Sequence, residues 1–401
     1  MSPRALSLRY ALFFATVFVA VGAHLPFWPL WLESRGLTAA EIGLAMALGS
    51  WMKLAANPTL AHLSDRAGWG KGTVVLLTAV SFVAFLAFIP ASGFAWILAV
   101  HLVTAACFPL LIPLAETQTM AAVYRHSLDY GRIRLWGSLA FVAGSLATGQ
   151  LLGAAGADWV LWIVIAAIGG SLLTAAALPG RLTGELSGEL SGELSGALPG
   201  SLPEDVSLRR LLRLFSRPDT LTFLAAAALV QASHAAYYAY SSLTWKAAGI
   251  GEGSIALLWT VGVVAEILFF AFSRRLPASF TPGRILVIGG LLSAIRWLVT
   301  GMSSDLLVLA VVQTLHAGSF AATHLAAMHH ITRSTPPRLA ATMQSLYSAL
   351  SGGLAMGGAM LLAAACYEID PGLAFFAMAA IALAAAGLGQ VARVLRAAEA
   401  A

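Results

Sequence analysis

The chain has 401 residues, of which 59% are hydrophobic and 10% charged, against roughly 45–50% apolar and 25% charged in soluble domains. With a mean hydropathy of +0.83, this excludes a soluble enzyme and specifies an integral membrane protein. The net charge of +5 reports topology and gives no reason to invoke a nucleic-acid partner.

Twelve apolar stretches follow one another, near residues 8–31, 41–62, 73–91, 94–117, 134–154, 159–178, 220–242, 254–273, 284–301, 305–327, 340–364 and 371–393. Each is long enough to cross a hydrocarbon core of about 30 Å at about 1.5 Å per residue. The first is too long for the apolar region of a signal peptide and lacks a small-residue cleavage site, so it reads as a retained span. With the N-terminus inside, 19 of the 23 Lys and Arg fall on cytoplasmic segments, Arg35 and Lys246 fall outside, and Lys53 and Arg296 lie within spans. Both termini are therefore expected in the cytoplasm, and the protein in the cell inner membrane. Cys107 and Cys366 lie in predicted spans as buried thiols, in neither a disulfide framework nor a metal site.

In span two, Lys53 shares a helical face with Gly49, Ser50 and Asn57. It is too deep for easy snorkelling and is expected to face a cavity or a partner helix, either in a structural ion pair or in a substrate or coupling role. Glu116 ends span four and Arg134 begins span five, 18 residues later. Both lie near the cytoplasmic end, where Arg134 satisfies the positive-inside rule.

After span six the text changes to "LTGELSGELSGELSGALPGSLPED" (182–205), a Gly, Ser and Glu-rich repeat without an apolar face, followed by the basic amphipathic "SLRRLLRLF" (207–215). The chain thus divides into a six-helix bundle (1–180), a cytoplasmic linker with a short surface helix (181–218) and a second six-helix bundle (219–401). "LWLESRGLTAAEIG" after span one echoes "LTWKAAGIGEGSIA" after span seven, and "SDRAGWGK" (64–71) echoes "SRRLPASF" (273–280). Weak internal symmetry of this kind marks transporters whose halves rock around a site near the midplane.

The polar stripes of the second half complete the candidate site. Gln231, His234, Tyr238 and Ser241 recur along span seven, and Gln313, His316, Phe320 and His324 along span ten. Glu266 stands alone in "VGVVAEILFF" of span eight, with Trp259, Gly262 and Phe270 on its face. A carboxylate at the bilayer centre costs roughly 2.5–3.5 kcal/mol unless it has a partner, a proton or a water-filled cavity, so the stripes are expected to line a shared cavity.

"AHLSDRAGWGK" resembles the loop between spans two and three of the major facilitator superfamily, with Ala61 and Trp69 departing from its pattern. The resemblance implies a gating role for Asp65 and Arg66 and an all-α fold of twelve membrane helices in two six-helix halves. "GAHLPFWPLWL", "LDYGRIRLWGSLAF", "ASHAAYYAYSSLTW", "LWTVGVVAEI" and "TLHAGSFAATHLAAM" resemble the phenylpropionate permease family, a relative of the lactose permease group. By that resemblance Glu116 and Arg134 correspond to an acid and arginine pair that holds substrate, and Arg296 and His316 to an arginine and histidine of the coupling machinery. Ser319 stands where that group has its coupling carboxylate, so the proton site cannot be copied across and Glu266 with His316 becomes the candidate.

Together these readings specify a secondary active transporter that takes up a small aromatic carboxylate such as 3-phenylpropionate with protons, by alternating access. The substrate residues are Lys53, Glu116, Arg134, His234, Tyr238 and Trp259, with Trp28, Trp51, Trp136 and Tyr237 adding aromatic surface. The proton residues are Glu266, Arg296, His316 and His324. A proton gradient supplies the energy without a bound cofactor, each proton yielding about 1.4 kcal/mol per pH unit and about 2.3 kcal/mol per 100 mV. The expected partners are the substrate, protons and the lipid bilayer, and the protein is read as a monomer. A sugar or nucleoside symporter and a proton-driven exporter of the same fold are the alternatives. No GxxxxGK[ST] loop or close metal-ligand spacing supports an ATP-driven or enzymatic reading.

Overall fold

The computed structural model describes residues 2–67, 70–179, 215–275 and 280–400. Every regular element among them is helical, as expected where hydrocarbon gives the backbone no outside partner. Each predicted apolar stretch lies mainly on helix, although the one near 73–91 leaves helix after Leu86. In the first half these are α1 (Pro3–Ser34), α2 (Ala39–Ala67), α3 (Gly70–Leu86), α4 (Phe94–Cys107), α5 (Leu111–His126), α6 (Tyr130–Ala155) and α7 (Asp158–Ala176), with a 3-10 turn at Phe108–Leu110 joining α4 to α5. Among the described residues nine helices are long and apolar enough to cross a membrane, and Gly70–Leu86 is a shorter apolar one.

The second half is more broken. α8 (Pro218–Ala232) and α9 (Ala235–Ala247) are interrupted at Ser233 and His234, whereas α10 (Glu252–Phe272) and α11 (Pro282–Met302) are continuous. α12 (Leu306–Gln313) leads through a π-helical segment, Ala317–Ala322, into α13 (Thr323–Ser334). A second π-helical segment, Ala349–Ala355, joins α14 (Pro337–Ser348) to α15 (Met356–Ile369), and α16 (Pro371–Ala400) follows. By its internal contacts the chain divides into two compact units, residues 1–193 with 251–257, and residues 194–250 with 258–401. The repeat linker and most of the amphipathic segment lie outside the described residues.

Polar residues at the helix starts supply the bonds that the first turn lacks. Asp129 accepts from Arg132 N at 3.1 Å, and Asp305 accepts from Val308 N at 2.9 Å. Thr38 and Glu41 form a capping box, with Thr38 N donating to Glu41 Oε2 at 2.9 Å and Glu41 N to Thr38 Oγ1 at 3.3 Å.

Close packing in the first unit rests on glycine. A Cβ at Gly22 of α1 would run into the Phe141 carbonyl of α6, and one at Gly144 would lie 2.8 Å from the Val19 oxygen. Such small-residue contacts let two membrane helices approach backbone to backbone. Gly22→Ala is therefore expected to destabilise the protein by about 1–3 kcal/mol, read as a lower unfolding temperature in detergent. An unchanged temperature would remove this contact from the packing account. In the second unit Phe223, Leu224 and Val230 of α8 form one buried cluster with Leu286 of α11, Ile331 of α13 and Met343 of α14. That core anchors the helices that carry the polar stripes.

Candidate functional site

Arg296 of α11 is fully buried, and a lone charge there would cost several kcal/mol in lost hydration. Its neighbours offset that cost. One terminal nitrogen lies 2.9 Å from His316 Nδ1 and 3.5 Å from Ser319 Oγ, and the other donates to Gln313 Oε1. The guanidinium also lies over the rings of Tyr237 and Trp297, 4.5 and 4.4 Å from their centroids. Contacts of this kind are worth about 2 kcal/mol when desolvated. Two N–H groups of the cluster, Arg296 Nε and Gln313 Nε2, have no hydrogen-bond partner among the described residues.

His316 passes the network on to Glu266. A guanidinium can only donate, so His316 Nδ1 accepts from Arg296 and the ring proton sits on Nε2. That nitrogen lies 3.5 Å from Glu266 Oε2. A second proton at Nδ1 would set an N–H against the N–H of a cation. Glu266 is one quarter exposed.

His234 is fixed in a similar way. Its Nδ1 lies 3.1 Å from the Val230 carbonyl, which can only accept, so Nε2 is left to receive the Ser319 hydroxyl at 3.4 Å. The break at Ser233 is held by Ser233 Oγ, which donates to Val230 O at 2.7 Å and accepts from Trp297 Nε1 at 3.1 Å. At the π-helical segment, Gln231 Nε2 donates to Phe320 O at 3.3 Å and to Thr323 Oγ1 at 3.1 Å. Side chains thus satisfy groups that an irregular helix leaves over, which is how such segments persist inside a membrane protein.

Aromatic rings close around the cluster. Tyr237 stacks on Trp259 at 4.1 Å between centroids, Trp259 Nε1 donates to Ser242 Oγ at 3.2 Å, and Phe320 stacks on His316 at 5.0 Å. Tyr238 is half-buried beside His234 and Trp259.

The first unit holds a separate polar group. Arg134 Nε donates to Glu116 Oε1 at 3.4 Å, and its guanidinium lies 4.2 Å from the Phe18 ring centroid. Both partners are about one third exposed, which limits the ion pair to roughly 0–1 kcal/mol. Lys53 is half-buried, within electrostatic reach of the His24 and His101 imidazoles. His24 stacks on Trp28 at 4.7 Å, and Trp28 on Trp31 at 4.6 Å.

The structure therefore gathers His234, Tyr238, Trp259, Glu266, Arg296 and His316 in the second unit. Glu116 and Arg134 meet in the first, with Lys53 in a different polar group of that unit. Gln313 and His316 are buried, whereas His324 is exposed and lies within electrostatic reach of Glu266. Trp136 is 58% exposed and contributes no buried aromatic wall. The side chains of Asp65 and Arg66 lie outside the described residues. His24 and His101 are isolated histidines in apolar runs, and Ser233 and Trp297 are ordinary neighbours of His234 and Arg296 in the sequence; only their partners in the fold give them a role.

Comparison with known proteins decides the family. The model of the MFS_1 like family matches residues 5–377. The chain belongs to this family. A "Probable 3-phenylpropionic acid transporter" of Escherichia coli (strain K12) is 32% identical over 378 residues, covering 94% of this chain and 95% of the relative. A "Maltose permease" of Geobacillus stearothermophilus is 27% identical over 348 residues, covering 86% and 84%. The crystal structure of the nucleoside transporter NupG superposes with a TM-score of 0.82 at 12% identity, covering 96% of this chain and 98% of that one, a likeness of fold. The MFS_1-like chain is thus a multi-pass membrane transporter of the major facilitator type and not an enzyme.

Proposed function

We propose that this transporter imports a small aromatic carboxylate, such as 3-phenylpropionate, together with one proton across the cell inner membrane. The observation that carries the reading is the buried Arg296, joined through His316 to Glu266 and walled by Tyr237, Trp259 and Phe320. Donors around Arg296 exceed acceptors, which suits an anion, and the aromatic walls suit a ring. The similarity to the 3-phenylpropionic acid transporter points to the same class.

The electrostatics give a coupling mechanism. With Glu266 ionised, its charge opposes that of Arg296 and disfavours a second carboxylate. A proton on Glu266 removes that repulsion, worth roughly 2 kcal/mol for charges ~7 Å apart at an effective dielectric of ~20, or about 30-fold in affinity. By linkage, the bound anion holds the proton equally more tightly, so the two travel together.

This reading has a distinctive driving force. A carboxylate anion with one proton carries no net charge, so uptake into proteoliposomes is expected to follow the pH gradient, about tenfold accumulation per pH unit, and to ignore an imposed potassium-diffusion potential. A neutral solute with a proton would respond by about 2.3 kcal/mol per 100 mV. Labelled 3-phenylpropionate and maltose, each followed under a pH gradient and under a potential, separate the two. The sugar reading is favoured by the Glu116 to Arg134 pair and by the maltose permease relative. Potential-driven uptake of maltose with no uptake of 3-phenylpropionate would establish it and sink the aromatic-acid assignment.

A further inference from the structure

A pocket lies away from Arg296, at the end of the second unit where α8 and α11 begin and α13 and α16 finish. It encloses about 360 Å³, and its charged lining residues are Arg333, Arg393, Arg396 and Asp219, with His330 at its wall. By the distribution of Lys and Arg this is the cytoplasmic face.

The hydrogen-bonding pattern is one-sided. His330 is 1% exposed, and its ring stacks on Phe223 at 3.9 Å between centroids, nearly parallel at 9°. Its Nδ1 lies 3.3 Å from an Arg396 terminal nitrogen, which can only donate, so the ring proton sits on Nε2. That nitrogen is buried and has no hydrogen-bond partner among the described residues. His330 thus keeps a buried N–H without a partner among the described residues, and three arginines line the pocket, of which Arg393 donates to Gln390 Oε1 at 2.7 Å. The start of α11 adds its dipole, with Thr281 capping Arg284 N at 3.4 Å and Gly283 leaving room for the Arg393 side chain to lie across the first turn. Asp219 is the single carboxylate that lines the cavity among the described residues, and it is occupied by Arg217 at 3.3 Å.

We propose that this cavity binds a phosphate group, as the headgroup of an anionic phospholipid or as a free phosphate. Three arginines at a helix start suit a phosphate, whose oxygens the planar guanidinium fork can pair. Basic pockets between membrane helices on the cytoplasmic side are suited to lipid headgroups, which reach this level of the bilayer. The site is separate from the transport residues and does not rest on the proposed substrate.

The test uses the purified, delipidated full chain in detergent and reads its unfolding temperature with short-chain phosphatidylglycerol, short-chain phosphatidylcholine or inorganic phosphate. Phosphatidylglycerol or phosphate is expected to raise it by roughly 3 °C or more. The rise is expected to vanish in Arg333→Gln combined with Arg396→Gln, and to persist in Arg132→Gln, which removes an exposed charge elsewhere. A rise with phosphatidylglycerol alone assigns the lipid, and a rise with phosphate assigns the free anion. No rise in wild type, an equal rise with phosphatidylcholine, or a full rise in the double variant overturns the proposal. Arg333 and Arg396 are both exposed, and if the double variant does not fold, Arg333→Gln alone is read in the same way.

Discussion

Glu266→Gln is expected to abolish accumulation of 3-phenylpropionate driven by a pH gradient while leaving counterflow exchange intact. Glutamine keeps the shape of a protonated glutamate and can accept from His316 Nε2, which lies 3.5 Å from the carboxylate in the wild type. It cannot release a proton. The substrate would then cross with its affinity held in the high state and independent of pH, and the steady-state ratio would fall from about tenfold per pH unit to about one. Parallel measurements of uphill uptake and of exchange in the same proteoliposomes separate coupling from folding or binding. Retained uphill uptake would show that another group carries the proton; loss of both activities would make Glu266 a binding or structural residue instead.

Arg296 is expected to show the largest combined effect on stability and transport. Arg296→Ala removes a cation shared by His316, Gln313 and Ser319 and opens a void beneath Tyr237 and Trp297. Breaking a buried charged network at one member costs about 3–5 kcal/mol, so much of this variant is expected to unfold during purification. Arg296→Lys is the more informative change. Its ammonium keeps the charge but cannot serve His316 Nδ1 and Gln313 Oε1 through one planar fork. Loss of a charge-assisted bond, about 1.5–3 kcal/mol, predicts a fall in kcat/KM for 3-phenylpropionate of roughly 10- to 150-fold in folded protein. Wild-type kinetics in a folded Lys variant would remove Arg296 from the substrate site.

The membrane class and the helical regions were legible from single residues and runs, because lipid imposes the same demand on every span. An apolar stretch of sufficient length folds as helix whatever its neighbours are. Arg296 and Glu266 stood out for the same reason, as ionisable groups in apolar runs carry a cost that needs an explanation. His24 and His101 did not stand out, since an isolated histidine in a span is compatible with plain packing. Their relation to Lys53 exists only across α1, α2 and α4.

The composition and spacing of this sequence by themselves determined a membrane-embedded helical protein and a short roster of charged residues in apolar runs. Tertiary structure decided which of those residues meet. It joined Arg296 to Glu266 through the Nε2–H tautomer of His316, and it broke helix at Ser233. The physical reason is the range of the forces. Hydrocarbon acts on each residue where it stands, whereas a buried charge is stabilised by partners 17 to 23 positions further on, whose approach depends on how whole helices pack.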